Sequence, residues 1–173
     1  MVRLLVCLLA LFIAPAAFAQ AELDTAWGEA IAAFEAAAPR LGRGSFDVDV
    51  RAYGEALGQR RFSSGYWGGA IEVTIARADA SDANCNSFAA YVRLPPRDGQ
   101  LRLVTCPQFF SAGADALRRL TILHEMVHVV AGPDECRAMA FAARVEQLAL
   151  GQFTPVERYW HANGCQNSGF SLP

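Results

Sequence analysis

Residues 115–132 read DALRRLTILHEMVHVVAG, and this stretch decides how the rest of the chain folds around it. Its apolar residues recur at spacings of three and four, which predicts an amphipathic helix. The repeating positions are Leu117, Leu120, Leu123, Val127 and Val130. Asp115 or Ser111 is expected to cap the start of the helix, and Gly132-Pro133 to end it.

The middle of this helix carries the pattern HEMVH at residues 124–128. His124 and His128 are four residues apart, so both imidazoles lie on one helical face and can reach the same metal ion. Glu125 can stand beside the metal and take a proton from a metal-bound water. We therefore predict one catalytic zinc ion, with His124 and His128 as ligands and Glu125 as the general base.

A catalytic zinc ion usually has three protein ligands and one position left for water. Asp134 and Glu135 follow the Gly-Pro break, and a chain reversal there would turn the next helix toward the metal. Glu135 is the favoured third ligand because its side chain reaches further. Asp134 is then the natural N-cap of that helix. Asp134 and His161, the one remaining histidine, stay open as alternative ligands.

Two further side chains are candidates for stabilising the oxyanion of a hydrolytic reaction. His161 or Tyr159 is expected to donate a hydrogen bond to it, since imidazoles and phenols can serve in that role. Glu125 would accept the proton of the attacking water and pass it to the leaving amine. Replacing Glu125 by Gln is expected to keep the metal and abolish turnover.

The N-terminus has the pattern of an export signal over residues 1–19. Arg3 supplies a positive charge, and the apolar run from Leu4 to Ile13 is too short to span a bilayer. Ala17-Phe18-Ala19 offers a cleavage site before Gln20. We expect an exported chain, periplasmic or secreted, with no stable membrane anchor after cleavage.

Composition limits the classes of partner for the remaining residues 20–173. Their length fits a single domain with a substantial core. The full chain has a net charge of −2 and no lysine, and no basic stripe or tail is visible. The chain therefore lacks the usual sequence signature of a nucleic-acid-binding protein, and we expect no nucleic-acid partner. We expect a monomer that acts on a peptide or protein substrate.

Signal removal would leave four cysteines, and an even number in an exported chain indicates two disulfides. Three pairings are possible. We favour Cys85–Cys106, which would bracket a hairpin, together with Cys136–Cys165, which would tie the C-terminal tail to the start of the helix after the Gly-Pro break.

Elements ahead of residue 115 are predicted from apolar periodicity and turn residues. Residues 23–38 are expected to form a helix, and residues 46–50 alternate like a strand within an ambiguous region. Residues 71–75 alternate as a half-buried strand. A hairpin is predicted from residues 88–94 and 101–105, with residues 95–100 as its turn.

Helices are predicted after Gly132. Residues 134–150 form one, and the sequence of Thr154 to Glu157 is that of a capping box that opens a short helix ending at Asn163-Gly164. Strands first and helices afterwards predict the α+β class. The expected order is a small antiparallel or mixed sheet, then the active-site helix, then C-terminal helices.

The pattern at residues 124–128 resembles that of the zincin metallopeptidases. This resemblance implies that His124 and His128 bind zinc and that Glu125 is the general base. It also implies a mixed sheet ahead of the active-site helix, with an edge strand that binds an extended substrate. Residues 101–105 have a comparable position along the chain.

Two zincin subgroups share further features with this chain. The aspzincins (deuterolysin-like and lysine-specific endopeptidases) carry a cysteine and paired aromatic residues ahead of the motif, similar to residues 106–110. They then have a glycine followed by an aspartate ligand, which Gly132 and Asp134 resemble. The gluzincins use a glutamate on the following helix, which residues 135–138 resemble. The short spacing after His128 leaves the subgroup open.

The predicted function is that of an exported zinc-dependent metallopeptidase. One alternative is a non-catalytic binding module of zincin fold with a structural zinc ion. Another is an amidase that acts on cell-wall peptides. Glu125 favours catalysis over the binding module because a structural metal site has no need of a base.

Overall fold

A computed structural model describes the backbone of residues 2–79 and 81–173, and the side chains of residues 17–79 and 81–173. The elements in chain order are α1 (Val2–Ala37), α2 (Val50–Gln59), β1 (Arg61–Ser64), β2 (Gly69–Arg77), β3 (Ala90–Arg97), β4 (Gln100–Thr105), α3 (Asp115–Ala131), α4 (Glu135–Leu150) and α5 (Glu157–Ala162). The fold is α+β with a small mixed sheet, as predicted.

Two helices precede the sheet. The predicted helix over residues 23–38 forms the second half of α1. The predicted leader forms its first half, and removal of that leader during export stays a prediction. Residues 46–50 are not a strand: Phe46 and Asp47 both have a φ of 58°. Asp49 instead caps α2, where its carboxylate accepts the N–H of Ala52 at 3.0 Å.

The strand order is β1-β2-β4-β3, with β2 and β4 parallel and the other pairs antiparallel. The predicted hairpin is present as β3 and β4. Its turn is shorter than expected, because Asp98 and Gly99 take left-handed φ values of 50° and 73° and β3 runs on to Arg97. A two-residue Asp-Gly turn suits the twist of such a pair.

The resemblance placed the substrate-binding edge at residues 101–105, and that expectation is wrong. β4 lies between β2 and β3, so both of its sides are paired. The edge strand next to α3 is β3. Because β4 pairs directly with β2, the strand that comes between them in the sequence, β3, lies on the outer side of β4.

Helix α3 lies in the middle of the core. Leu123, Met126 and Val127 are fully buried between the sheet and the neighbouring helices α1 and α4. Burial of each such side chain is worth about 1.5–3 kcal/mol. The Tyr53 hydroxyl donates to the Leu123 carbonyl at 2.8 Å. These contacts fix the rotation of α3 and so determine where its histidines face.

The helix ends differ in detail from the expected caps. The residue before α3 is Ala114, which makes no side-chain cap, and Asp115 pairs with Arg118 inside the first turn. The predicted capping box at Thr154 is also wrong. The Thr154 backbone N–H donates to the carboxylate of buried Glu146 at 2.7 Å, and α5 starts after Val156.

Both favoured disulfides are confirmed. Cys85–Cys106 joins the segment before β3 to the end of β4, and Cys136–Cys165 joins the first turn of α4 to the segment after α5. Disulfides of this kind are compatible with an oxidising, exported environment. Within the part of the chain that the structure describes, no helix has the length and apolar character needed to cross a membrane.

Candidate metal centre

Three potential metal ligands converge where α3 ends and α4 begins. The Nε2 atoms of His124 and His128 are 3.0 Å apart. A carboxylate oxygen of Glu135, Oε2, lies 3.1 Å from His124 Nε2 and 3.6 Å from His128 Nε2. This cluster can hold a metal ion. The distances between these donors decide which ion they suit.

The donor geometry fits a tetrahedral ion. Zinc bonds of about 2.0–2.1 Å at tetrahedral angles place neighbouring donors about 3.3 Å apart. The observed separations of 3.0, 3.1 and 3.6 Å bracket that value. Two imidazole nitrogens facing each other at 3.0 Å would repel if both were unprotonated, and a shared cation removes that repulsion. The residues therefore fit the group that the sequence predicted.

The alternative ligand Asp134 has a different task. Its carboxylate accepts the Arg137 backbone N–H at 2.9 Å, which is the N-cap of α4. This matches the role that the sequence predicted for it. The cap orients the first turn of α4, and the next residue, Glu135, then points at the histidines. Glu135 rather than Asp134 completes the cluster.

The orientation of His128 is set by the backbone just after the helix. Its Nδ1 lies 2.9 Å from the Gly132 carbonyl oxygen, which can only accept a hydrogen bond. Nδ1 therefore carries the proton, and Nε2 presents its lone pair to the cluster. Gly132 adopts a φ of 85°, a conformation that favours glycine. A Cβ there would also clash with the Tyr66 hydroxyl group.

Helix α5 brings one of its two candidate residues to the cluster. The Tyr159 hydroxyl donates to Glu135 Oε2 at 3.0 Å. The Cys136–Cys165 disulfide holds this part of the chain beside α4. His161 is not brought to the cluster: it is exposed on α5 and hydrogen-bonded to Gln166. Neither a ligand role nor an oxyanion role follows for His161 from this placement.

Glu125 is adjacent to the cluster but does not join it. Only 6% of the residue is exposed, and this burial raises the pKa of its carboxyl to about 8. The Val92 backbone N–H of edge strand β3 lies close enough to the same carboxyl to offset a small part of this rise in pKa. Burial would raise the pKa of Glu135 as well, but the neighbouring His124 and His128 rings hold it well below its usual range. The two carboxyl groups of the site therefore differ in pKa because their surroundings differ.

The pKa values of the other cluster residues follow from the same neighbours. Burial lowers the pKa of His124. Burial acts in the same direction on His128, but Glu135 and Glu125 outweigh it and raise the pKa of that ring. Burial and the negative charge of Glu135 raise the pKa of Tyr159, which therefore stays a hydrogen-bond donor at neutral pH.

The chain matches no protein-family model, no curated protein and no solved structure. The geometry of the site is therefore the basis of the proposed function.

A cavity of about 230 Å³ gives access to this cluster. Tyr91, Val92 and Leu94 of β3 form one wall, while Glu125, His128 and Glu135 form another. Along β3, the N–H and C=O groups of successive residues point alternately toward β4 and away from it. The Cys106 N–H donates to the Ala89 carbonyl at 2.8 Å, so the backbone groups of Ala89 face β4. Three residues later, the N–H of Val92 therefore points away from β4 and toward the site.

Sequence reasoning missed two backbone groups of the site. The Gly132 carbonyl orients His128, although the glycine was interpreted only as the end of a helix. The Val92 N–H contacts Glu125 across 33 positions of sequence, and no local pattern indicates such a contact. A glycine directly after a metal-binding helix is a usable signal for the first group. The second depends on sheet order.

Proposed function

We propose that this protein is a zinc-dependent metallopeptidase of the zincin type that hydrolyses peptide bonds. The observation that carries the proposal is the convergence of His124, His128 and Glu135 beside the buried carboxyl of Glu125. A metal-binding cluster alone would support a structural role. A buried acid next to it, on the same helix and outside the cluster, supports hydrolysis.

Zinc is the metal that best suits the donor set. Two imidazole nitrogens and one carboxylate oxygen with a fourth position open are characteristic of catalytic zinc sites. Structural zinc sites are closed by four protein ligands. In the described part of the chain the cluster has three, which favours catalysis over the non-catalytic binding module. A bound zinc ion would polarise the substrate carbonyl and lower the pKa of water.

Glu125 would act as the proton carrier of the reaction. Its carboxylate accepts a proton from the attacking water and delivers that proton to the departing amine. The buried environment that raises its pKa also strengthens it as a base, because a desolvated carboxylate gains more from protonation.

Tyr159 would supply a hydrogen bond to the oxyanion that develops on the substrate. Its hydroxyl already lies within the cluster, 3.0 Å from Glu135, and its raised pKa keeps it protonated. A donor of this kind typically contributes about 10²–10³ in rate. His161 is exposed and takes no part in this scheme.

The substrate would bind in an extended form along β3. This edge strand borders the cavity and has backbone groups that β4 does not use. An extended peptide can pair with such an edge through main-chain hydrogen bonds. Export of the chain, supported by its two disulfides, would place this activity outside the cytoplasm.

Metal analysis tests the first half of the proposal. Elemental mass spectrometry of the purified chain should give close to one zinc ion per molecule, and His128→Ala and Glu135→Ala should each lose it. His161→Ala is the matched control and should retain the metal. A chain that binds no zinc after reconstitution would contradict the proposal.

Peptide cleavage tests the second half. The zinc-loaded chain should cleave a mixed peptide library, while Glu125→Gln should keep its zinc and lose about 10²–10⁴ in rate. Full activity in Glu125→Gln would remove this residue from the mechanism. Hydrolysis confined to cell-wall peptides would instead establish the amidase alternative.

A further inference from the structure

A cavity of about 430 Å³ adjoins the metal centre between α3, α4, α5 and the start of β3. His124, Glu125 and Tyr159 form its wall at the metal-centre end. Its volume lies within the range of about 300–1,000 Å³ that is typical of ligand pockets. The cavity is therefore continuous with the groups assigned to the reaction and large enough for a bulky side chain.

The walls of this cavity are mainly apolar. Its deeper parts come from core residues such as Leu120, Met139 and Val156, with alanines between them. Besides the three site residues, the ionisable side chain among its described lining residues is Arg158, which is exposed. A charged side chain that entered the apolar part of the cavity, between Leu120, Met139 and Val156, would lose its hydration without gaining a partner there. An apolar one would gain from burial.

The cavity extends the metal-binding face of α3. Leu117, Thr121 and His124 follow each other at spacings of four and three, so they lie on one face of the helix. All three line the cavity. Leu117 is 46% exposed and is one of few large apolar side chains open to solvent in the described part of the chain. Leu117 therefore adds exposed apolar surface at the rim of the cavity.

We propose that this cavity is the specificity pocket of the enzyme and takes a large apolar side chain, aromatic or long aliphatic. That side chain belongs to the residue next to the cleaved bond, because the cavity wall includes the proposed base and oxyanion donor. The inference rests on the proposed peptidase function and names its substrate class. Substrates are peptides with Phe, Leu or Met beside the cleaved bond.

Burial of one such side chain is worth enough to be visible in kinetics. Filling the pocket with Phe or Leu instead of Ala should raise kcat/KM about tenfold to a hundredfold. Paired synthetic peptides that differ at one central residue measure this ratio, and mass spectrometry of the products locates the cut. Equal rates for Phe, Ala and Asp peptides would overturn the proposal.

Two variants with a matched control place the preference in this cavity. Leu117→Ser should reduce the Phe-to-Ala ratio, whereas Leu150→Ser should not, since Leu150 is similarly exposed at 49% but does not line the cavity. Thr121→Phe should fill the cavity and invert the ratio in favour of Ala peptides. An unchanged ratio in both Leu117→Ser and Thr121→Phe would show that the preference arises elsewhere.

A binding measurement separates failure of this inference from failure of the proposed function. Fluorescently labelled Phe and Ala peptides are titrated with zinc-loaded Glu125→Gln and followed by anisotropy. Tighter binding of the Phe peptide without any cleavage by the native chain supports the pocket and contradicts the peptidase. Cleavage with no preference in either assay contradicts the pocket alone. No binding and no cleavage contradicts both.

Discussion

The corner between α3 and α4 and the C-terminal segment around α5 contribute to the same site in different ways. In the corner, His124, His128 and Glu135 lie within 12 positions of sequence, and helix periodicity plus one tight turn bring their donors together. Tyr159 of α5 arrives from 24 positions further on. Short sequence separation makes the first arrangement local, while the second depends on tertiary contacts.

Two of those contacts hold α5 in place. The Cys136–Cys165 disulfide ties the segment after α5 to the residue next to Glu135. The carboxylate of fully buried Glu146 accepts the Thr154 N–H at 2.7 Å and binds Arg119 Nε at 2.9 Å, which fixes the approach to α5. The proposed metal ligands are therefore brought together mainly by the corner itself, whereas the proposed oxyanion donor depends on the docking of α5.

Removing the Cys136–Cys165 disulfide should have the largest effect on the two regions, because this bond connects them. The double variant Cys136→Ser/Cys165→Ser is expected to lose about 3.6 kcal/mol of unfolding free energy, from closure of a 29-residue separation. Zinc affinity should also fall, because Cys136 is the residue next to the proposed ligand Glu135 and would lose its link to the segment after α5. Urea denaturation and zinc titration measure the two effects.

The second disulfide is the control for that experiment. The native Cys85–Cys106 bond closes a loop with a sequence separation of 21 residues. The double variant Cys85→Ser/Cys106→Ser should therefore lose a similar unfolding free energy, about 3.3 kcal/mol. Its zinc affinity should stay at the native value because neither cysteine is next to a metal ligand. Equal zinc losses in both double variants would mean that general stability, and not α5 docking, governs the site.

Gly132→Ala tests the corner itself. A side chain at this position has an unfavourable φ and a clash with Tyr66, so we expect a loss of about 1–3 kcal/mol in stability. Displacement of the Gly132 carbonyl should free the His128 ring and weaken zinc binding about 10- to 100-fold.

Gly113→Ala serves as its control. Gly113 also has a positive φ, of 74°, but a Cβ there would meet open space. This variant should lose some stability and keep its zinc affinity. If Gly132→Ala bound zinc as tightly as Gly113→Ala, the carbonyl would have no part in orienting His128.

Tyr159→Phe separates the two roles of the site. Loss of the hydroxyl should lower kcat about 10²- to 10³-fold. The effect on zinc affinity should be smaller, since the phenol is not one of the three proposed ligands. His161→Ala should leave both quantities unchanged. A large kcat effect of His161→Ala would restore the role that the sequence suggested for it.

The pH dependence of zinc binding should reflect the different pKa shifts of His124 and His128. Zinc must displace the protons of both imidazoles. The pKa of His128 is raised, so its proton competes first as pH falls, and zinc affinity should drop about tenfold per pH unit. The pKa of His124 is lowered, so a steeper fall, about a hundredfold per unit, should begin only at more acidic pH. Zinc titrations across this range would contradict the assignment if the affinity were constant.

Much of the fold was predictable because it depends on local periodicity. The bounds of α3 and α4, the β3–β4 hairpin and the second half of α1 follow from apolar spacing and from glycine and proline. Two of the errors were also local, whereas the wrong edge strand came from the order of the strands in the sheet. Residues 46–50 alternate in polarity like a strand, but Asp49 caps a helix there, and the Thr154 N–H is taken by a buried carboxylate.

The amino-acid pattern was enough to predict the helix that carries His124 and His128, the position of Glu125 on it and the two favoured disulfide pairs. A spacing of four on a helix places two side chains on one face whatever surrounds them. Only the tertiary structure decided that β3 is the edge strand, that Tyr159 and not His161 reaches the site, and that an apolar cavity adjoins Glu125. These features depend on strand order and helix docking, which arise from contacts between residues far apart in the sequence.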